Sequence, residues 1–163
     1  MTKALFFDID GTLVSFETHA IPASTIEALT IAHEKGIKIF IATGRPKAII
    51  NNLADIQDRG LIDGYITMNG AYCFVGDEVI YKSAIPAGEV RALAQVCEQK
   101  GYPCIFVGEH TISVCQPNKL VHDIFYDFLH VDEIPVKTFE EAVQEEIFQM
   151  TPFVTVEEET EIQ

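Results

Sequence analysis

The strongest constraint on the fold is an alternation of short apolar runs with helical patterns in the N-terminal half. Ala4-Leu5-Phe6-Phe7-Asp8-Ile9 is a brief apolar run that turns polar at its end, as a strand buried on both faces does. Pro22 to Glu27 opens a helix, with Ser24 and Glu27 at capping-box spacing. Ile26, Leu29 and Ala32 form its stripe and Gly36 stops it. Ile37–Ala42 reads as a second strand. Pro46 starts a further helix whose apolar face is Ile49, Ile50, Leu53 and Ile56, ending at Gly60. Tyr65–Met68 is a third strand. β-α-β-α-β with short connections predicts an α/β fold built on a parallel sheet.

The rhythm then changes. Tyr72–Val75 and Glu78–Tyr81 flank Gly76-Asp77, a pair suited to a two-residue hairpin. A helix follows over 87–100, with Val90, Leu93, Ala94 and Cys97 on one face and Gly101 beyond it. Further on come a hairpin (104–107 and 111–115), a helix near 118–130, a short strand at 134–136, a helix near 138–145, a strand near 147–151 and a polar helical stretch from about 155. This part reads as α+β. The boundary falls near Tyr81–Pro86, dividing the chain into 1–82 and 83–163.

The net charge is −14, which argues against a nucleic-acid surface or an anionic membrane as partner. Eight Glu and no Lys or Arg follow Lys137, so much of the excess belongs to the C-terminal region and reads as solvated helix faces. No apolar run approaches membrane-spanning length, and the N-terminus has no secretory pattern. The expectation is a soluble cytoplasmic protein. Cys73, Cys97, Cys104 and Cys115 form no C-x-x-C pair and have apolar neighbours, so they read as buried reduced thiols. Cys97, Cys104, His110 and Cys115 do not have the spacing of a zinc finger or ribbon.

Open parallel sheets bind ligands at the carboxyl ends of their strands. The first strand ends in Asp8-Ile9-Asp10-Gly11-Thr12-Leu13. In extended geometry Asp8 and Asp10 face the same side. Two adjacent carboxylates become tolerable with a cation or a shared proton, and grouped oxygen ligands suit Mg²⁺. The second strand ends in Thr43-Gly44-Arg45-Pro46. Thr43 is there either to donate to an anion or to cap a helix. Arg45 either holds a ligand or is a surface arginine at a helix start. The third strand ends in Asn69-Gly70-Ala71, where Asn69 reaches the site or serves as a hinge turn.

Asp-Ile-Asp-Gly-Thr-Leu directly after an N-terminal apolar strand resembles the first motif of the haloacid dehalogenase (HAD) superfamily, mostly phosphatases. Thr43-Gly44-Arg45 and Asn69-Gly70-Ala71 resemble the later motifs of its Cof-type branch, which includes many sugar-phosphate phosphatases. The resemblance implies a Rossmann-like parallel-sheet core, here its N-terminal half, with an α+β cap inserted after the third strand. It implies Asp8 as nucleophile, Asp10 as general acid and base, Mg²⁺ held at Asp8 and Asp10, and phosphate or substrate held by Thr43, Gly44, Arg45 and Asn69. The substrate class it implies is a small phosphorylated metabolite, first among them hexose phosphates. Within the cap, His110, Tyr126 and His130 are either site residues or ordinary surface and core residues.

The branch also carries, after the cap, a catalytic Lys and a Gly-Asp-x-x-Asn-Asp string. Neither occurs in these 163 residues, and Lys119 and Lys137 do not match the Lys motif. The expectation is therefore a fragment with little activity alone, its core completed by a missing C-terminal segment or an oligomer contact. Two other functions stay open: a phosphomutase, and a non-catalytic HAD-like binding or assembly module. A response-regulator receiver also places acids at strand ends, but it does not use the Asp-x-Asp-Gly-Thr-Leu string.

Overall fold

The computed structural model describes residues 3–155 and Glu158. Apart from Thr155 and Glu158, the polar helical stretch expected from about 155 lies outside the described residues. The chain divides into two compact units, Met1–Lys82 and Ser83–Gln163.

The first unit runs β1 (Lys3–Phe7), α1 (Ala23–Glu34), β2 (Ile37–Ala42), a 3-10 turn (Lys47–Ile49), α2 (Ala54–Gln57), β3 (Gly64–Thr67), a second 3-10 turn (Met68–Gly70), β4 (Tyr72–Val75) and β5 (Glu78–Lys82). One five-stranded sheet carries them in the order β1-β2-β3-β4-β5. The first three strands are parallel. The β4–β5 hairpin turns at Gly76-Asp77 as expected and extends the sheet with two antiparallel strands.

Right-handed crossovers between strands laid out in sequence order send both helices to one face. That face holds the core: Ile39 and Ile41 of β2 pack with Leu29 of α1, Ile56 of α2, and Ile9, Leu13, Val14, Leu53 and Leu61 from the connections. The expectation that the first strand is buried on both faces fails. Among the described residues β1 lies at the sheet edge and pairs with β2 alone; its first four residues are exposed. Phe6 is 56% exposed and stacks on Phe40 at 5.0 Å. An apolar run identifies a strand, but its burial depends on where the crossovers place the helices.

Two further expectations are corrected. Ser24 does not cap α1. The helix begins two residues earlier, at Ala23, with Pro22 as its cap residue and no side-chain cap; the Pro22 carbonyl accepts from Thr25 N and Ile26 N. The helix expected from Pro46 to Gly60 is not continuous. It breaks at Ile50, which is extended (φ −84°, ψ 95°), because the Ile49 carbonyl accepts a hydrogen bond from Arg45 Nη1 at 3.1 Å rather than from a following helical turn. Ile49, Leu53 and Ile56 are nevertheless buried, so the apolar pattern correctly marked the inward side chains.

The second unit contains α3 (Ala87–Lys100), β6 (Cys104–Gly108), β7 (Ile112–Cys115), α4 (Lys119–His122), a π-helical turn (Asp123–Phe128), α5 (Phe139–Ala142) and β8 (Ile147–Pro152). Its sheet is antiparallel in the order β7-β6-β8. β6 is central and buried at every residue. Cys104 and Phe106 join Val90, Ala94 and Cys97 of α3 and Phe139 of α5 in one apolar cluster. Gly101 ends α3 in the left-handed region, φ 74°, as expected. The helix near 118–130 becomes α4 followed by the π-helical turn. The short strand at 134–136 reduces to a single bridge, Val114 to Val136. All four cysteines are free thiols; Cys97, Cys104 and Cys115 are buried and Cys73 is half-buried.

Candidate active site

The site lies in the first unit, at the carboxyl ends of its parallel strands. Asp8 follows β1 and is exposed. The chain then turns sharply: the Ile9 carbonyl accepts from the N–H groups of Thr12, Leu13 and Val14 at 3.2, 3.0 and 2.9 Å. Gly11 makes this possible at φ 76°; a Cβ there would lie 2.5 Å from the Phe16 ring. β1 ends at Phe7, so the strand itself does not continue through Asp10.

Asp10 is held by Arg45. Arg45 Nε donates to Asp10 Oδ2 at 2.7 Å and Nη2 donates to Oδ1 at 2.8 Å. Nη1 donates to the Ile49 carbonyl at 3.1 Å and to Asn51 Oδ1 at 3.4 Å. Arg45 is 7% exposed, so it is not a surface residue. A guanidinium, rather than a shared proton, compensates the Asp10 charge. Asn51 escaped the sequence reading; its only signal was the Asn51-Asn52 pair in a window otherwise patterned as helix.

Thr43 is buried at the end of β2. Its N–H donates to the Ile66 carbonyl at 2.9 Å, and its Oγ1 accepts from Arg45 N at 3.1 Å. That bond is a local turn contact and not a helix cap, since Pro46 is the cap residue of the following 3-10 turn and no side chain caps it; it leaves the hydroxyl proton available to an acceptor. An open cleft is lined by Asp8, Ala42, Thr43, Gly44, Ile66, Asn69 and Gly70. Four of the six expected site residues, Asp8, Thr43, Gly44 and Asn69, thus share one cleft. Asp10 and Arg45 form an ion pair and are absent from its lining.

A family model described as haloacid dehalogenase-like hydrolase matches residues 5–163. The chain belongs to this family. YkrA of Bacillus subtilis (strain 168), a protein named as a phosphatase, is 29% identical over 97% of this chain and 60% of its own length. A solved structure of BT4131, described as a HAD subclass IIB sugar phosphatase, is 76% identical with a TM-score of 0.92 and covers 99% of this chain and 62% of its own. BT1666 from Bacteroides thetaiotaomicron, described among phosphatases of the same superfamily, is 33% identical with a TM-score of 0.80, covering 99% and 59%. The chain therefore spans about 60% of the length of these relatives.

His110, Tyr126 and His130 lie in the second unit. His110 is exposed beside Glu109. Tyr126 Oη accepts from Ile134 N at 3.2 Å, a bond that fixes the loop after the π-helical turn. His130 is exposed, at φ 50°. Among the described residues, one group of three potential ligands converges, the His122, Asp123 and Asp127 side chains. It belongs to the second unit, and Lys119 Nζ already contacts both Asp123 oxygens at 2.8 and 2.6 Å. Also among the described residues, no helix is long and apolar enough to cross a membrane.

Proposed function

We propose that this chain supplies the nucleophile and phosphoryl-binding side of a Mg²⁺-dependent phosphomonoesterase acting on small phosphorylated metabolites, with hexose phosphates as the first class to test. The observation that carries this reading is the cleft in which Asp8, Thr43 and Gly44 meet, in a chain of this family. The sugar-phosphatase description of BT4131 supports the substrate class.

Asp8 Oδ attacks phosphorus in line; the bond from phosphorus to the ester oxygen breaks as the aspartyl-phosphate forms. Asp10 gives its proton to the departing alkoxide. Its carboxylate then takes a proton from water, which attacks phosphorus, breaks the bond to Asp8 and releases inorganic phosphate. Arg45 holds both Asp10 oxygens and has no acceptor for an acid proton. Asp10 therefore acts as an acid only after Arg45 releases one oxygen. Thr43 donates its hydroxyl to a phosphoryl oxygen.

The donor set suits Mg²⁺. The exposed Asp8 carboxylate is available, and the family resemblance implies the Asp10 backbone carbonyl as the second protein ligand. Two protein oxygens are within the range Mg²⁺ accepts. When bound, the ion neutralises charge between the nucleophile and the phosphoryl group.

The second unit is the cap that selects the leaving group in this reading. The absence of the family's Lys and Gly-Asp-x-x-Asn-Asp strings from these 163 residues leads us to expect little turnover from the chain alone. The commitment of both Asp10 oxygens to Arg45 favours a second reading, a non-catalytic binding module. The test is hydrolysis of p-nitrophenyl phosphate and hexose phosphates with Mg²⁺, by this chain and by one extended to the length of its relatives. The extended protein is expected to turn over and to lose all activity on Asp8→Asn. Undiminished turnover in that variant overturns the nucleophile assignment, and an inert extended protein supports the binding module.

A further inference from the structure

The turn after β3 has an unusual backbone. Met68, Asn69 and Gly70 follow one another at φ 51°, 54° and 95°. Side chains other than glycine rarely occupy this region, and strain of this kind persists only where the surroundings enforce it. Neither Met68 nor Asn69 is a glycine, and Met68 is buried at 3% exposure.

The surroundings are the loop that carries Thr43. Met68 N donates to the Arg45 carbonyl at 3.3 Å, and Asn69 N donates to the Thr43 carbonyl at 3.2 Å. The two bonds straddle Gly44. Asn69 also lies over Gly44: a Cβ at Gly44 would sit 3.1 Å from Asn69 Oδ1 and 3.5 Å from Nδ2. On the far side the turn is anchored by Thr67, fully buried, whose Oγ1 donates to the Tyr72 carbonyl at 3.0 Å. The left-handed course is what directs successive N–H groups at the carbonyls on both sides of Gly44.

We infer that Asn69 is a positioning residue, which acts through its left-handed backbone by clamping Thr43-Gly44-Arg45 in the conformation that presents the Thr43 hydroxyl to an anion. Asparagine suits the position because its short polar side chain tolerates the left-handed region better than other non-glycine residues. A Cβ at Gly44 would crowd the Asn69 carboxamide, which would have to give by a few tenths of an ångström. The inference takes the ligand of Thr43 from the proposed phosphatase reading; the clamp itself rests on backbone geometry alone.

The test compares the 163-residue chain with Asn69→Gly and Asn69→Val by amide NMR and by titration with inorganic phosphate in Mg²⁺. Glycine keeps the left-handed backbone and removes the carboxamide, whereas valine resists that backbone. Asn69→Val is expected to shift the Thr43, Gly44 and Arg45 amide signals, to leave those of α1 in place, and to bind phosphate at least tenfold more weakly than Asn69→Gly. Equal effects of the two variants, or none on these three amides, overturn the clamp. A wild-type chain that binds no phosphate but shows the expected amide pattern supports the clamp, while the phosphatase reading stands or falls on turnover by the extended chain. Should Asn69→Val fail to fold, Gly44→Ala with and without Asn69→Gly decides. The alanine is expected to disturb the loop amides only while Asn69 is present, and a disturbance that persists with Asn69→Gly overturns the contact.

Discussion

One edge of the Arg45 guanidinium covers both carboxylate oxygens of Asp10, with Nε at 2.7 Å from Oδ2 and Nη2 at 2.8 Å from Oδ1. The arginine side chain is 8% exposed and the aspartate 27%, so water screens the pair only in part. Removing one partner leaves a poorly solvated charge behind. Arg45→Met is expected to lower stability by about 2–3 kcal/mol, somewhat less than breaking a fully buried pair costs because the aspartate is partly solvated. Arg45→Lys should recover less than half of that, because an ammonium cannot span both oxygens while also reaching Ile49 and Asn51. Urea unfolding of the three proteins checks this.

Asp63 gives the first unit an acid-sensitive contact. It ties down β2 by accepting from Lys38 Nζ at 2.6 Å and from Ile39 N at 2.8 Å. Burial works to raise its pKa, but the Lys38 and Ile39 bonds, together with the charges of Lys38 and His33, outweigh it and hold the carboxyl below its ordinary value of 3.8. The folded protein thus binds this proton less readily than the unfolded chain. The contribution is complete above the ordinary value and drains away as pH falls below it through the folded one. Asp63→Asn is expected to be less stable than wild type at neutral pH, with the gap closing toward pH 2. Melting temperatures across that range provide the check.

Gly64 is required by close packing rather than by backbone angle. A Cβ there would lie 2.8 Å from the Phe74 carbonyl oxygen, 2.9 Å from Val75 Cγ2 and 3.0 Å from Phe40 Cε1. The first of these is backbone and cannot swing aside. Gly64→Ala should destabilise by about 1–3 kcal/mol, by forcing β3 away from β4. Denaturant unfolding measures it.

The thiols should separate by accessibility. Cys97, Cys104 and Cys115 are fully buried. Contact with Cys97, then burial, pushes the Cys104 thiol up, and burial pushes Cys115 up to about 11. Thiolate is the reactive form. In native protein at pH 8 a chromogenic disulfide reagent should modify none of these three within the time in which half-buried Cys73 reacts, and all four after denaturation. Rapid native labelling of any of the three contradicts the packing of α3 against β6 and β7.

What could be read in the sequence was what depends on near neighbours. Gly36 and Gly101 end helices because a left-handed residue is needed there, and Gly76-Asp77 makes a hairpin because two residues suffice to reverse the chain. Asp8, Thr43, Gly44 and Asn69 could be placed together because parallel strands bring their carboxyl ends to one side. The failures involve distant partners. Asp10 is 35 positions from the arginine that holds it, and the helix after Pro46 stops because that same arginine takes a carbonyl from its first turn. The exposure of β1 depends on the side to which two crossovers carry their helices, a property of no single segment.

The exposed Phe6 and the outer edge of β1, which has no strand partner among the described residues, have a colloidal consequence. An open strand edge is a template for another chain, and here it adjoins aromatic surface. The principal force keeping molecules apart is the net charge of −14. That repulsion vanishes near the isoelectric point of about 4.6 and is screened within about 10 Å at 0.1 M salt. Solubility should therefore be high in dilute neutral buffer and fall steeply as either acid or salt removes the barrier to strand-to-strand association.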